Sequence, residues 1–136
     1  MKKTIRIFAV VLSVVLLALA LVACAPKNDP DKAKAALEKN GYTAVKTTGY
    51  VSGIISAIAG TENKIDATVT GTKDIKDADG KTTKTESVTI IYYKTSADAK
   101  EAWKSWSEAD RDRYEVAKCS GRMIYWGTKA AVKAAS

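Results

Sequence analysis

The chain has 136 residues, with 22 Lys+Arg against 15 Asp+Glu, two cysteines and no histidine. Without imidazole, Ser-His-Asp and Cys-His nucleophile systems and His-ligated zinc sites are excluded, and two distant cysteines do not make a tetrathiolate site. The length suits one small domain.

The first segment reads as targeting rather than fold. Lys2, Lys3 and Arg6 precede an apolar run from Ile7 to Val22 that only Ser13 interrupts. That run is shorter than the roughly 20 residues a spanning helix needs. It ends in Leu21-Val22-Ala23-Cys24, which resembles the lipobox of bacterial lipoproteins. The resemblance implies cleavage between Ala23 and Cys24, acylation of the Cys24 sulfur, and a product anchored in the bilayer with the rest of the chain on the extracytoplasmic side of a cell membrane. The alternative is an uncleaved anchor in which Cys24 is incidental. The boundaries that follow are a signal peptide over 1–23, a lipidated tether over 24–30 and one domain over 31–136.

Removing Lys2, Lys3 and Arg6 leaves 19 basic and 15 acidic groups, a net charge of +4. That balance, with no Arg-rich run, argues against a nucleic-acid partner. With Cys24 acylated, Cys119 has no partner for an internal disulfide, so stability must come from a packed core.

Along the remaining chain, Ala25 to Pro30 reads as a short irregular tether. Asp29 as N-cap and Pro30 in the first turn open a helix with Ala33, Ala36 and Leu37 on one side, and Gly41 stops it. Tyr42 to Thr47 is Thr- and Val-rich and reads as a strand. Val51, Ile54, Ile55 and Ile58 have helical spacing, which predicts a short helix within Tyr50 to Ala59.

Two alternating strands follow, with Ile65, Ala67 and Val69 in the first and Val88, Ile90 and Tyr92 in the second. The charged run Asp74 to Lys81 joins them as a hairpin. A helix is expected from Ser96 to Ala109, with Thr95 and Asp98 at capping-box spacing. Tyr114 to Cys119 and Arg122 to Trp126 are strands about a Ser120-Gly121 turn, and Thr128 caps a last helix to Ala135. The expected class is α+β: an antiparallel sheet with helices packed on one face. Its βαββαβ middle, with one extra strand and terminal helices, resembles a ferredoxin-like core.

Each candidate site also has a plainer role. Aligning Gly80 with the glycine of a calcium loop puts Asp77, Asp79 and Glu86 at ligand positions, but Ile75 falls at the first, so a solvated turn is the simpler reading and no metal or other cofactor is assigned. Trp103 and Trp106 suit a sugar cradle or a buried helix face, and the spacing favours the core. Glu108, Asp110, Asp112 and Glu115 hold enough carboxylate for a small envelope hydrolase. Arg111 and Arg113 interleave with them, as in an ordinary charged loop. No catalytic residue is assigned. Cys119 reads as a small apolar side chain. Lys27, Lys32 and Lys34 lie beside the anchor, either touching headgroups or simply solvated.

If Val88, Ile90 and Tyr92 point inward, Thr89, Ile91 and Tyr93 point outward, joined by Thr68 and Thr70. This amphipathic face is the expected docking surface for a protein or glycan of the envelope. Ala36 to Tyr42 and Ser120 to Ala131 also resemble small lipoproteins of Gram-positive bacteria that have no assigned activity. Together these features point to a lipid-anchored, non-catalytic binding or accessory module.

Overall fold

The computed structural model describes residues 25–49, 51 and 60–136. The expected signal peptide, Cys24 and nearly all of the expected Tyr50 to Ala59 helix lie outside the described residues.

Helix α1 spans Pro30–Lys39, and the Asp29 side chain accepts the Lys32 N–H at 3.0 Å. Strand β1 is Thr43–Thr48, and a single 3-10 turn at Glu62–Lys64 leads into β2, Ile65–Lys76. Strand β3 is Thr82–Tyr93 and helix α2 is Ser96–Ser105, capped by the Thr95 hydroxyl on the Asp98 N–H. The expected long helix stops there. Trp106 is extended, and Ser107 caps a separate short helix α3, Glu108–Arg111. Strands β4 (Val116–Ser120) and β5 (Met123–Gly127) and helix α4 (Lys129–Ala134) complete the chain.

The five strands are antiparallel in the order β1-β2-β3-β5-β4. The class is therefore α+β. This is not the interleaved order expected of a ferredoxin-like core, because β1 lies at an edge and pairs only with β2. Only β3 and β4 form a split pair, with β5 inserted between them.

The register fixes two faces. Ala67, Val69, Val88, Ile90, Tyr92, Met123 and Tyr125 face α1 and α4, packing on Ala33, Leu37, Ala131 and Val132. Ile65, Ile91, Tyr93, Ile124 and Trp126 face the other way, against Ala99, Ala102 and Trp106. The expectation of helices on one face is thus corrected: α2 covers the second. The physical reason is the unbroken runs Ile90 to Tyr93 and Met123 to Trp126, every residue of which is buried. Sheet segments buried on both sides lose alternation. Each of these large side chains contributes roughly 1.5–3 kcal/mol on burial.

Two glycines record close approach. A Cβ on Gly71 would lie 2.9 Å from Leu37 Cδ1, so α1 sits almost on the β2 backbone. Gly127 has φ 151, and a Cβ there would lie 2.1 Å from the Ser87 carbonyl oxygen. Beyond the body of the sheet, β2 and β3 continue as an exposed two-stranded ribbon. Its turn is closed by Asp77, whose carboxylate accepts the Asp79 and Lys81 N–H groups at 2.9 and 3.0 Å.

Residues 25–29 have no helix or strand, yet they are packed on the domain rather than leading up to it. Ala25 lies against the first core and Pro26 is buried. The Lys27 N–H donates to the Ala135 carbonyl at 2.9 Å, and its own carbonyl accepts the Tyr92 hydroxyl at 2.6 Å.

Candidate binding groove

The sheet face expected to be open is mostly covered. Thr68, Ile91 and Tyr93 are 3%, 2% and 0% exposed, and only Thr70 and Thr89 are half-buried. The correction has a specific cause: α2 lies over the Ile91 and Tyr93 end of this face. The polar atoms beneath it find partners, Thr68 Oγ1 donating to the Gly49 carbonyl and Tyr93 Oη meeting Thr61 Oγ1 at 3.3 Å. Burial raises the Tyr93 phenol above its ordinary value, and burial likewise raises the Cys119 thiol at the margin of the same core. Cys119 is therefore held as a thiol, the weak form for nucleophilic attack.

The aromatic side chains of this second core continue outward to the surface. Trp106 is buried and packs on Trp126, ring centroids 5.2 Å apart and planes at 71°. Trp103 meets Trp106 edge-on at 5.8 Å but is itself only half-buried. Tyr114 lies 6.0 Å from Trp106 and 6.1 Å from Trp126, with 41% of its surface exposed. Edge and tilted packing of this kind is the favoured geometry for aromatic rings. The expectation that both tryptophans are core thus holds for Trp106 and half holds for Trp103.

The outer rings open onto a groove of about 560 Å³ between the α2–α3 corner and β4. The Arg111 guanidinium lies 4.3 Å from the centroid of the Trp103 ring, a cation–π stack that holds its charge in place. Glu108, Asp112 and Lys118 stand at the rim. Local sequence explains the corner: Ser107 accepts the Asp110 N–H and donates to its carboxylate at 2.7 Å, which starts α3 and turns Arg111 back toward Trp103.

Of the four carboxylates read together in sequence, Glu108, Asp112 and Glu115 line this groove and Asp110 does not. Asp110 is held by Ser107 and by Arg113 at 3.4 Å. Glu115 accepts the Lys129 N–H at 2.8 Å and so caps α4. The expected cap, Thr128, occupies the N-cap position without a capping bond. Glu108 and Asp112 form no ion pair with the described residues and line the groove.

A smaller cavity of about 330 Å³ lies between Tyr42, Lys73, Glu86 and Lys133. Its polar groups mostly satisfy one another. The Tyr42 hydroxyl donates to Glu86 at 2.5 Å, and Lys73 donates to the Asn40 carbonyl while lying 5.4 Å from the Tyr42 centroid. Burial, reinforced by Glu86, pushes the Tyr42 phenol far above its ordinary range. Glu86 thus stands beside Tyr42, while Asp77 folds back on its own turn, and the two do not converge as a calcium loop requires. Among the described residues no group of three acidic or Cys side chains gathers to hold a metal.

No family model matches the chain, and no curated protein or solved structure matches it either.

Proposed function

We propose that this chain is a membrane-anchored extracytoplasmic lipoprotein, held through an acylated Cys24, whose domain is a non-catalytic binding module for an envelope glycan. One observation carries the binding role: a groove lined by the half-buried Trp103, with Arg111 stacked on it, and by the exposed Tyr114. The exposed Tyr114 ring offers a face to the apolar side of a sugar ring, while Arg111, held on Trp103, and the exposed Glu108 and Asp112 supply hydrogen-bonding groups for its hydroxyls. The groove volume falls within the range of small-molecule sites. The open half of the sheet offers less, since Thr70 and Thr89 are half-buried and the exposed Val45 stands alone beside them.

The test uses the full chain in detergent, titrated with fragments of envelope glycan and followed by tryptophan fluorescence. Tyr114→Ala should weaken binding at least about tenfold, which corresponds to roughly 1.4 kcal/mol. Wild-type protein that binds none of the fragments would sink the glycan reading. Mass spectrometry of the N-terminal peptide tests the anchor separately.

A hydrolytic reading is favoured by one observation, Glu108 and Asp112 lining the same groove. It would be established by release of product that Glu108→Gln abolishes while binding persists.

A further inference from the structure

The tether is packed on the domain from its first described residue. Cys24 is bonded to Ala25, and consecutive Cα atoms lie about 3.8 Å apart. Ala25 is already packed on the core beneath α1 and α4, and Pro26 is buried. The next residue is fastened on both sides of its peptide unit, to Ala135 and to the fully buried Tyr92. The first described residue, Ala25, therefore sits on the α1–α4 side of the sheet, one peptide bond from Cys24. Helix α2 lies on the opposite side.

Charge divides the same way. Residues 25–40 and 130–136 carry five lysines against Asp29, Asp31 and Glu38. Lys34 pairs with Glu38, and Asp31 is taken by Lys46 from β1. Lys27, Lys32, Lys39 and Lys133 are exposed and form no ion pair with the described residues. In the layer of α2 and α3, residues 95–115, the ion pairs of Lys64 with Asp98 and Glu101, of Lys84 with Glu115 and of Arg113 with Asp110 leave Glu108 and Asp112 against Lys100, Lys104 and Arg111, a nearly balanced surface.

We infer that the α1–α4 layer is a bilayer-facing surface, held flat on anionic headgroups through Lys27, Lys32, Lys39 and Lys133, so that α2 and the groove beside it point away from the membrane. This rests on the lipid-anchor reading and adds an orientation to it. Lysines near an anionic surface are attracted within a Debye length, and a clamped leader keeps them there. The groove then meets ligand from the far side of the envelope and not from the lipid.

The experiment takes the full chain, its acylated N-terminal peptide verified by mass spectrometry, in vesicles of phosphatidylcholine with phosphatidylglycerol. Brief amine labelling is read lysine by lysine against the same protein in detergent. Lys27, Lys32, Lys39 and Lys133 should label at least about threefold more slowly on vesicles, while Lys100 and Lys104 stay unchanged. The K32Q/K39Q/K133Q variant, its lipid retained, should lose the contrast between the layers, with Lys100 and Lys104 now labelling more slowly on vesicles than in detergent. Equal labelling of the two layers in acylated protein, or greater protection of Lys100 and Lys104, overturns the orientation and leaves the anchor standing. An unmodified Cys24 thiol overturns the anchor and the orientation with it.

Discussion

The two faces of the sheet are covered by different means. On one, α1 and α4 present mainly Ala with Leu37 and Val132, and Gly71 lets the first helix approach the strand closely. Small side chains and two helices close that face. On the other, among the described residues, the ten-residue α2 is the principal cover, and the space beside it is filled by rings: Trp106, Trp126 and, lining the groove, Trp103 and Tyr114. Where one helix must cover a sheet, large aromatics reach past it, and the last of them meet solvent. The groove lies where the second core runs out of helix.

Substitutions should separate the faces. The largest loss is expected from Trp106→Ala, about 3–5 kcal/mol in denaturant unfolding, because it empties the centre of the aromatic cluster. A loss below about 1 kcal/mol would mean that the rings are not what closes this face. Gly71→Ala comes next, at roughly 1–3 kcal/mol, from collision with Leu37. Combining it with Leu37→Ala should cost less than the two separate losses added, since the new methyl then enters the space the leucine left. Strict additivity would show that the approach of α1 is not the constraint.

Alkaline titration probes both faces at once. Burial raises Tyr92 on the first face and Tyr93 on the second, with Asp29 adding to the effect at Tyr92. A phenol whose folded value is raised contributes stability that is complete below its unfolded value near 10 and is lost as pH climbs through the folded value. Near-ultraviolet phenolate absorbance should therefore show these two tyrosines ionising only as the protein unfolds. Their titration in the native state would break the picture of a closed face on the side concerned. The smallest effect is expected at the open half of the second face. Val45→Lys should change stability by no more than about 0.5 kcal/mol, since that side chain is 54% exposed.

Much of this was legible in one dimension. Local rules located α1 from Asp29 and Pro30, the hairpin from the charged run Asp74 to Lys81, and the start of α2 from Thr95, because caps and turns depend on residues only a few positions apart. The runs Ile90 to Tyr93 and Met123 to Trp126 also carried a signal that alternation masked: four consecutive large side chains belong to strands covered on both sides. The groove was legible only in pieces, since Trp103 suggested a cradle and Glu108 to Glu115 a carboxylate cluster, with nothing local to join them.

Sequence by itself determined the α+β element pattern and the candidate lipid-attachment motif, because each rests on a pattern readable over a few consecutive turns or strand residues. Tertiary structure decided that α2 takes the far face, that Glu115 rather than Thr128 caps α4, and that Trp103, Arg111 and Tyr114 share one groove. Those outcomes depend on strand order and register, which pair residues far apart along the chain and are chosen by the total burial of both faces at once.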